Sequence, residues 1–104
     1  MFPAIESGEI VDSRSTPTKA VILFKLPAGY TEEARAAMIR GTVLLRAVLR
    51  SSGVVSDIEV QSGLAGGLTE QSIEATRAIV FIPAMKDGAP VSTRLIVEYN
   101  FSIY

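Results

Sequence analysis

Asp57 and Glu59 sit two residues apart in the run VVSDIEVQS. On an extended strand that spacing puts both side chains on one face, where paired carboxylates could do acid–base work. The run implies no apolar pocket and no third polar group beside them, so a solvated sheet face is the better reading. Lys86 and Asp87 form a second candidate pair. They stand between Pro83 and Pro90 with Gly88 directly after them, which is turn chemistry, and no third partner accompanies them. The stretch SGLAGGL, residues 62–68, precedes a helix start, a place where anions can bind. It lacks the Lys-Ser/Thr of a phosphate loop and the spacing of a dinucleotide fingerprint, so it reads as a flexible connector. The chain has no Cys and no His. That removes a thiolate nucleophile, any Cys-based metal site, the usual general base and the commonest metal ligand. The expectation is a protein that is not an enzyme and holds neither metal nor cofactor.

The totals narrow the class further. The 104 residues suffice for one small domain with one core. Hydrophobic residues make up 48% and charged residues 20%, an ordinary globular balance. Ten basic side chains face eleven acidic ones, a formal net charge of −1. That balance removes the electrostatic argument for nucleic acid or an anionic membrane surface. The longest apolar run is Ala20 to Phe24, far below the roughly 20 residues a spanning helix needs. The N-terminus lacks the basic and apolar regions of a signal peptide. Either the protein is cytosolic, or a targeting segment lies outside this chain.

The candidate residues need elements to position them. Residues 1–18 mix Ser, Thr, Pro and charges without a period, and read as a tail or linker end; residues 19–104 read as the domain. KAVILFKL, Lys19 to Leu26, is β-branched and aromatic and predicts a strand. PAGY breaks it. TEEARAAMIRG predicts a helix: Thr31 is its N-cap, Glu32 and Glu33 suit the first turn, Ala34, Ala37 and Met38 form an apolar stripe, and Gly41 is the left-handed stop. TVLLRAVLR is the clearest strand, with Val43, Leu45, Ala47 and Leu49 on one face. Ser51-Ser52-Gly53 turns the chain into VVSDIEVQS, an antiparallel hairpin.

After the connector, Thr69 is the expected cap of a second helix, EQSIEATRAI, with Leu68 and Ile73 at the spacing of a hydrophobic staple. Pro83 ends it, and Asp87-Gly88 marks a tight turn. In the closing run, Val91, Leu95, Val97, Tyr99, Phe101 and Ile103 alternate with mostly polar residues, a long one-sided strand. The order β-α-β-β-α-β predicts an α+β fold, an antiparallel three- to four-stranded sheet with two helices on one face. The common RNA-recognition domain shares this order, but it stacks bases on aromatics of its central strands, and these central strands have none. If the last strand lies at the sheet edge, its unpaired backbone groups can accept an extended peptide. Periodicity alone leaves open whether it is an edge or is paired on both sides.

Three stretches together resemble a known family. They are YTEEARAAMIRGTVLLRAVLRSSGVVSDIEV, SGLAGGLTEQSIEATRAIVFIPAMKDGAPV and VEYNFSIY. Their order is similar to the TonB C-terminal domain family, over about residues 19–104. The resemblance implies a periplasmic domain of an energy transducer that an N-terminal helix anchors in the inner membrane, where it couples to a proton-driven motor complex. The domain grips a short peptide of an outer-membrane transporter by pairing it with the last strand. Carried onto this chain, the implied partner-binding residues are Arg94, Ile96, Glu98 and Asn100. The family loop near the bound peptide matches Pro27, Ala28, Gly29 and Tyr30. The resemblance also admits another role, an assembly module of a peptidase- or receptor-linked envelope protein.

The chain departs from the family pattern at Thr31, where Pro is frequent, and at Ile79, Val80 and Ile82, where aromatic, basic and charged residues are frequent. An anchor and a Pro-rich linker are not in the sequence, so this chain by itself is expected to bind rather than to transduce, as an excised domain. An open edge also implies a possible homodimer, by edge pairing or by exchange of the last strand.

Overall fold

The strand that the sequence pattern specifies most strongly becomes the centre of the protein. In the computed structural model, which describes residues 10–12, 14, 16 and 18–102, β2 spans Gly41–Leu49. Val43, Leu45, Ala47 and Leu49 are fully buried on its inner face. It is flanked by β3 (Val55–Ser62) and β7 (Thr93–Phe101) in a three-stranded antiparallel sheet of order β3-β2-β7. The turn between β2 and β3 closes as expected, through Gly53 N–H to the Arg50 carbonyl at 2.9 Å.

Two helices complete the core. α1 spans Glu32–Ala36 and α2 spans Leu68–Arg77. Ala34 and Leu68 join Val43, Leu45, Leu49, Val97, Tyr99 and Phe101 in one buried cluster. The protein is therefore α+β with antiparallel sheets and two helices. Burying a Leu or Phe side chain contributes about 1.5–3 kcal/mol, so this cluster is the main source of stability.

The helix ends differ from expectation. Thr31 does cap α1, accepting from Ala34 N–H at 3.0 Å. But α1 stops after five residues. Met38 adopts the left-handed conformation at φ 57, and Met38 and Ile39 N–H return to the Arg35 and Ala34 carbonyls. That is a Schellman stop with Met in the glycine position. Gly41 is therefore not the stop but the first residue of β2, and Ala37 and Met38 are exposed rather than part of an apolar stripe. In α2 the N-cap is Gly67, which offers no side-chain cap. Thr69 lies inside the first turn and bonds back to Leu64, accepting from its N–H and donating to its carbonyl, both at 2.8 Å. Leu68 is the first helical residue, so the expected staple across Thr69 is replaced by burial of Leu68 itself. α1 and the connector touch at Gly66: a Cβ there would meet Ala34 Cβ at 2.9 Å, and its φ is 73.

The remaining strands form small ribbons outside the main sheet. β1 (Val21–Phe24) pairs antiparallel with β4 (Val80–Ile82). β5 (Ala84–Lys86) and β6 (Ala89–Val91) pair across Asp87 and Gly88, both left-handed at φ 54 and 78, the geometry of a tight hairpin turn. Lys86 and Asp87 thus belong to a turn. Two residues of the stretch read as a tail also form bridges: Ile10 with Ser92 and Thr18 with Met85. Ile103, expected in the last strand, lies outside the described residues.

Candidate functional site

β7 pairs with β2 over its whole length, Gly41 against Phe101 through Leu49 against Thr93, without a register shift. Among the described residues no strand pairs with its other side. The open alternative of the sequence thus resolves to an edge strand. Its inner face carries buried Thr93, Val97, Tyr99 and Phe101, while Arg94, Ile96, Glu98 and Asn100 are exposed.

A groove follows this edge. At one end Lys25, Leu26, Pro27 and Ala28 face Glu98 to Phe101. Farther along, Ile22, Lys25 and Ile79 face Leu95 to Glu98. Lys25 is common to both parts. Its Nζ donates to the Glu98 carbonyl at 3.3 Å and lies 4.6 Å from the centre of the Tyr99 ring, where the ring's negative face attracts a cation.

The floor of the groove is held from below. Tyr99 OH and Thr76 Oγ1 are 3.0 Å apart in the buried interface between β7 and α2. Burial raises the Tyr99 phenol above its usual pKa, and the Thr76 hydrogen bond opposes that rise. Ser72 and Thr76 hydroxyls each donate to the carbonyl four residues earlier, which satisfies them inside the core.

The expected loop residues divide. Pro27 and Ala28 line the groove. Gly29 lies against Gln71, where a Cβ would meet Oε1 at 3.0 Å. Tyr30 packs edge-on against Phe101, with ring centres 5.4 Å apart, and donates its hydroxyl to the Ile39 carbonyl. Gly29 and Tyr30 fasten the loop; the other two form its wall. On β7, Ile96 and Glu98 line the groove's middle and Asn100 its end. Arg94 stands apart, beside Ile10, Val11 and Asp12.

The acidic candidates are engaged elsewhere. Glu59 Oε1 is 2.5 Å from Arg46 Nη2, and Asp57 Oδ2 is 2.7 Å from Arg50 Nη2. Asp57 has φ 51 and sits where the register slips between Arg46 and Val48; both carboxylates are exposed, and each is tied to an arginine rather than to the other. In the connector 62–68, Gly66 packs against Ala34 and Leu64 is held by Thr69 of α2, both structural contacts. Thr31, one of the family departures, also donates to the Gly66 carbonyl and so ties α1 to the connector. Sequence reasoning missed Lys25 altogether. A single Lys after an apolar run carries no signal, because its role depends on a strand 73 residues away.

What this arrangement offers chemically is backbone: a straight row of N–H and C=O groups beside a partly apolar groove. No curated protein matches the chain. A family model described as Gram-negative bacterial TonB protein C-terminal matches residues 27–103. That span takes in both helices, the three-stranded sheet and the groove-lining Pro27 and Ala28. The chain belongs to this family of TonB-like periplasmic domains that interact with outer-membrane proteins.

Proposed function

We propose that β7 receives an extended peptide of an outer-membrane transporter as an added strand, and that the domain serves a TonB-like energy transducer anchored in the inner membrane. In that setting the domain passes proton-motive-force-derived work to the transporter through the peptide. The observation that carries this reading is the edge of β7, unshifted against β2 and without a strand on its other side among the described residues, beside a groove. Backbone groups alternate in direction along a strand. The Glu98 carbonyl accepts from Lys25, outside the sheet, which supports reading the outward N–H and C=O groups as those of Arg94, Ile96, Glu98 and Asn100. Each strand-to-strand hydrogen bond contributes about 0.5–1.5 kcal/mol net, so a peptide needs several in line. A strand without a register shift supplies them. Pro27 and Ala28 bound the peptide's far side.

The test is titration of isotope-labelled protein with peptides from the N-terminal region of outer-membrane transporters. The amides of residues 94, 96, 98 and 100 shift on binding. Shifts confined to other strands, or none at all, overturn the reading. Ile96→Pro removes an outward N–H while leaving the bonds to β2, and weakens binding by at least about tenfold with the fold retained. The same edge is available to a second copy, so a homodimer by edge pairing or by exchange of β7 is the expected competitor of the peptide.

A further inference from the structure

We propose that Lys25 is a specificity-determining residue of the β7 edge, one that turns away a second copy of this chain. This rests on the reading of β7 as the edge that accepts a strand. Three observations carry it. First, the Lys25 ammonium occupies the Glu98 carbonyl, an acceptor that an added strand would use. Second, it stands over the Tyr99 ring and forms no ion pair among the described residues, so its charge faces the space beside the edge. Third, the surroundings favour association: exposed Ile22 and Ile96 line the groove, and the β1–β4 ribbon carries exposed Leu23, Phe24, Val80 and Ile82.

An edge of this kind self-pairs unless something opposes it, and an inward-placed Lys is one of the devices that oppose it. Two copies joined by a two-fold axis would run their β7 strands antiparallel. With the axis near Val97, Glu98 of one copy faces Ile96 of the other. Both Lys25 ammoniums then share one interface, where charges closer than about 10 Å, the Debye length at 0.1 M salt, are weakly screened. Each copy also has to release its own Lys25 from the carbonyl. A foreign strand brings no matching cation and meets only the second of these obstacles.

The test is sedimentation equilibrium of the wild type, Lys25→Met, Lys25→Gln and Lys25→Arg across a salt series. At low salt Lys25→Met and Lys25→Gln dimerise about threefold more tightly or better, by the worth of a surface charge contact. The gap closes as salt rises, and Lys25→Arg follows the wild type. Hydrogen exchange of these dimers shows protection at residues 94–100. Equal or weaker dimerisation of both neutral variants at low salt overturns the proposal, as does a dimer that leaves those amides unprotected. Peptide titration of the wild type separates the two readings. Peptide binding without an effect of Lys25→Met on dimerisation sinks this inference alone. A Lys25 effect without peptide binding sinks only the transporter reading.

Discussion

β3 and β7 flank the same central strand but meet it in different ways. β3 slips register twice against β2, between Leu44 and Leu45 and again between Arg46 and Val48. At the second slip Asp57 takes a left-handed conformation. Such bulges bend a strand and interrupt its row of free backbone groups. The exposed face there is charged, with Arg46–Glu59 and Arg50–Asp57 pairs across the two strands. β7 has no slip over nine residues, and one lysine stands against its outer side. The sheet thus has one edge spoiled by backbone geometry and one left usable. Backbone geometry closes an edge to every strand, whereas a movable side chain closes it only until something displaces it.

Four substitutions test that contrast, and the largest effect comes from what the two edges share. Leu45→Ala empties the buried centre of β2 and costs about 2–5 kcal/mol in a denaturant titration. Amides of β3 and β7 lose exchange protection together; protection surviving in one strand alone would show that the edges do not depend on a common core. Asp57→Val strikes only the β3 edge. A β-branched residue tolerates the left-handed conformation poorly, so stability falls by about 1–3 kcal/mol while the β7 amide spectrum stays in place. Spectral changes spread along β7 would mean that the bulge also shapes the other side.

Thr76→Val acts beneath β7. It removes the partner of the Tyr99 hydroxyl and costs about 1 kcal/mol. Tyr99 ionises above its usual pKa of 10.0 because it is buried. A folded-state pKa raised above the unfolded one stabilises the fold fully below the unfolded value. That contribution disappears as pH climbs through the folded value. Ultraviolet titration of the phenols, followed with alkaline unfolding, reads both; a Tyr99 that titrates at its ordinary value would contradict the burial argument. The smallest effect is at Glu59→Gln. An exposed pair contributes about 0.2–1 kcal/mol, lost equally by adding salt to the wild type. A change in peptide affinity on that substitution would blur the separation of the two edges.

Much of this fold is legible in the chain because it rests on local rules. The alternation Val43, Leu45, Ala47, Leu49 needs only a two-residue period and one buried face. Asp87-Gly88 needs only two residues that tolerate positive φ. Thr31 needs only an N–H three residues on. The errors arise where a distant contact outweighs the local preference. Thr69 is a good cap by type, yet Leu68 is drawn into the core one residue earlier, and Gly67 becomes the cap instead. Met38 takes the position that glycine favours, three residues before the expected stop, so Gly41 is free to open β2. The inner face of α2 carries Leu68, Ser72 and Thr76, and two of these three conceal an apolar period because their hydroxyls are satisfied within the helix.

The sequence by itself determined the α+β class, the central hairpin, the long one-sided last strand and the family resemblance. Each follows from spacing along the chain and the chemistry of neighbouring residues. It also placed Arg94, Ile96, Glu98 and Asn100 on one face of that strand. Only the tertiary structure decided that β7 is an edge, that β1 leaves the main sheet to pair with β4, and that Lys25 reaches the Glu98 carbonyl. The reason is that strand neighbours are chosen by which apolar faces can be buried together, a competition among segments far apart in sequence. Periodicity records which face of a strand is buried, and it holds no record of what lies beside it.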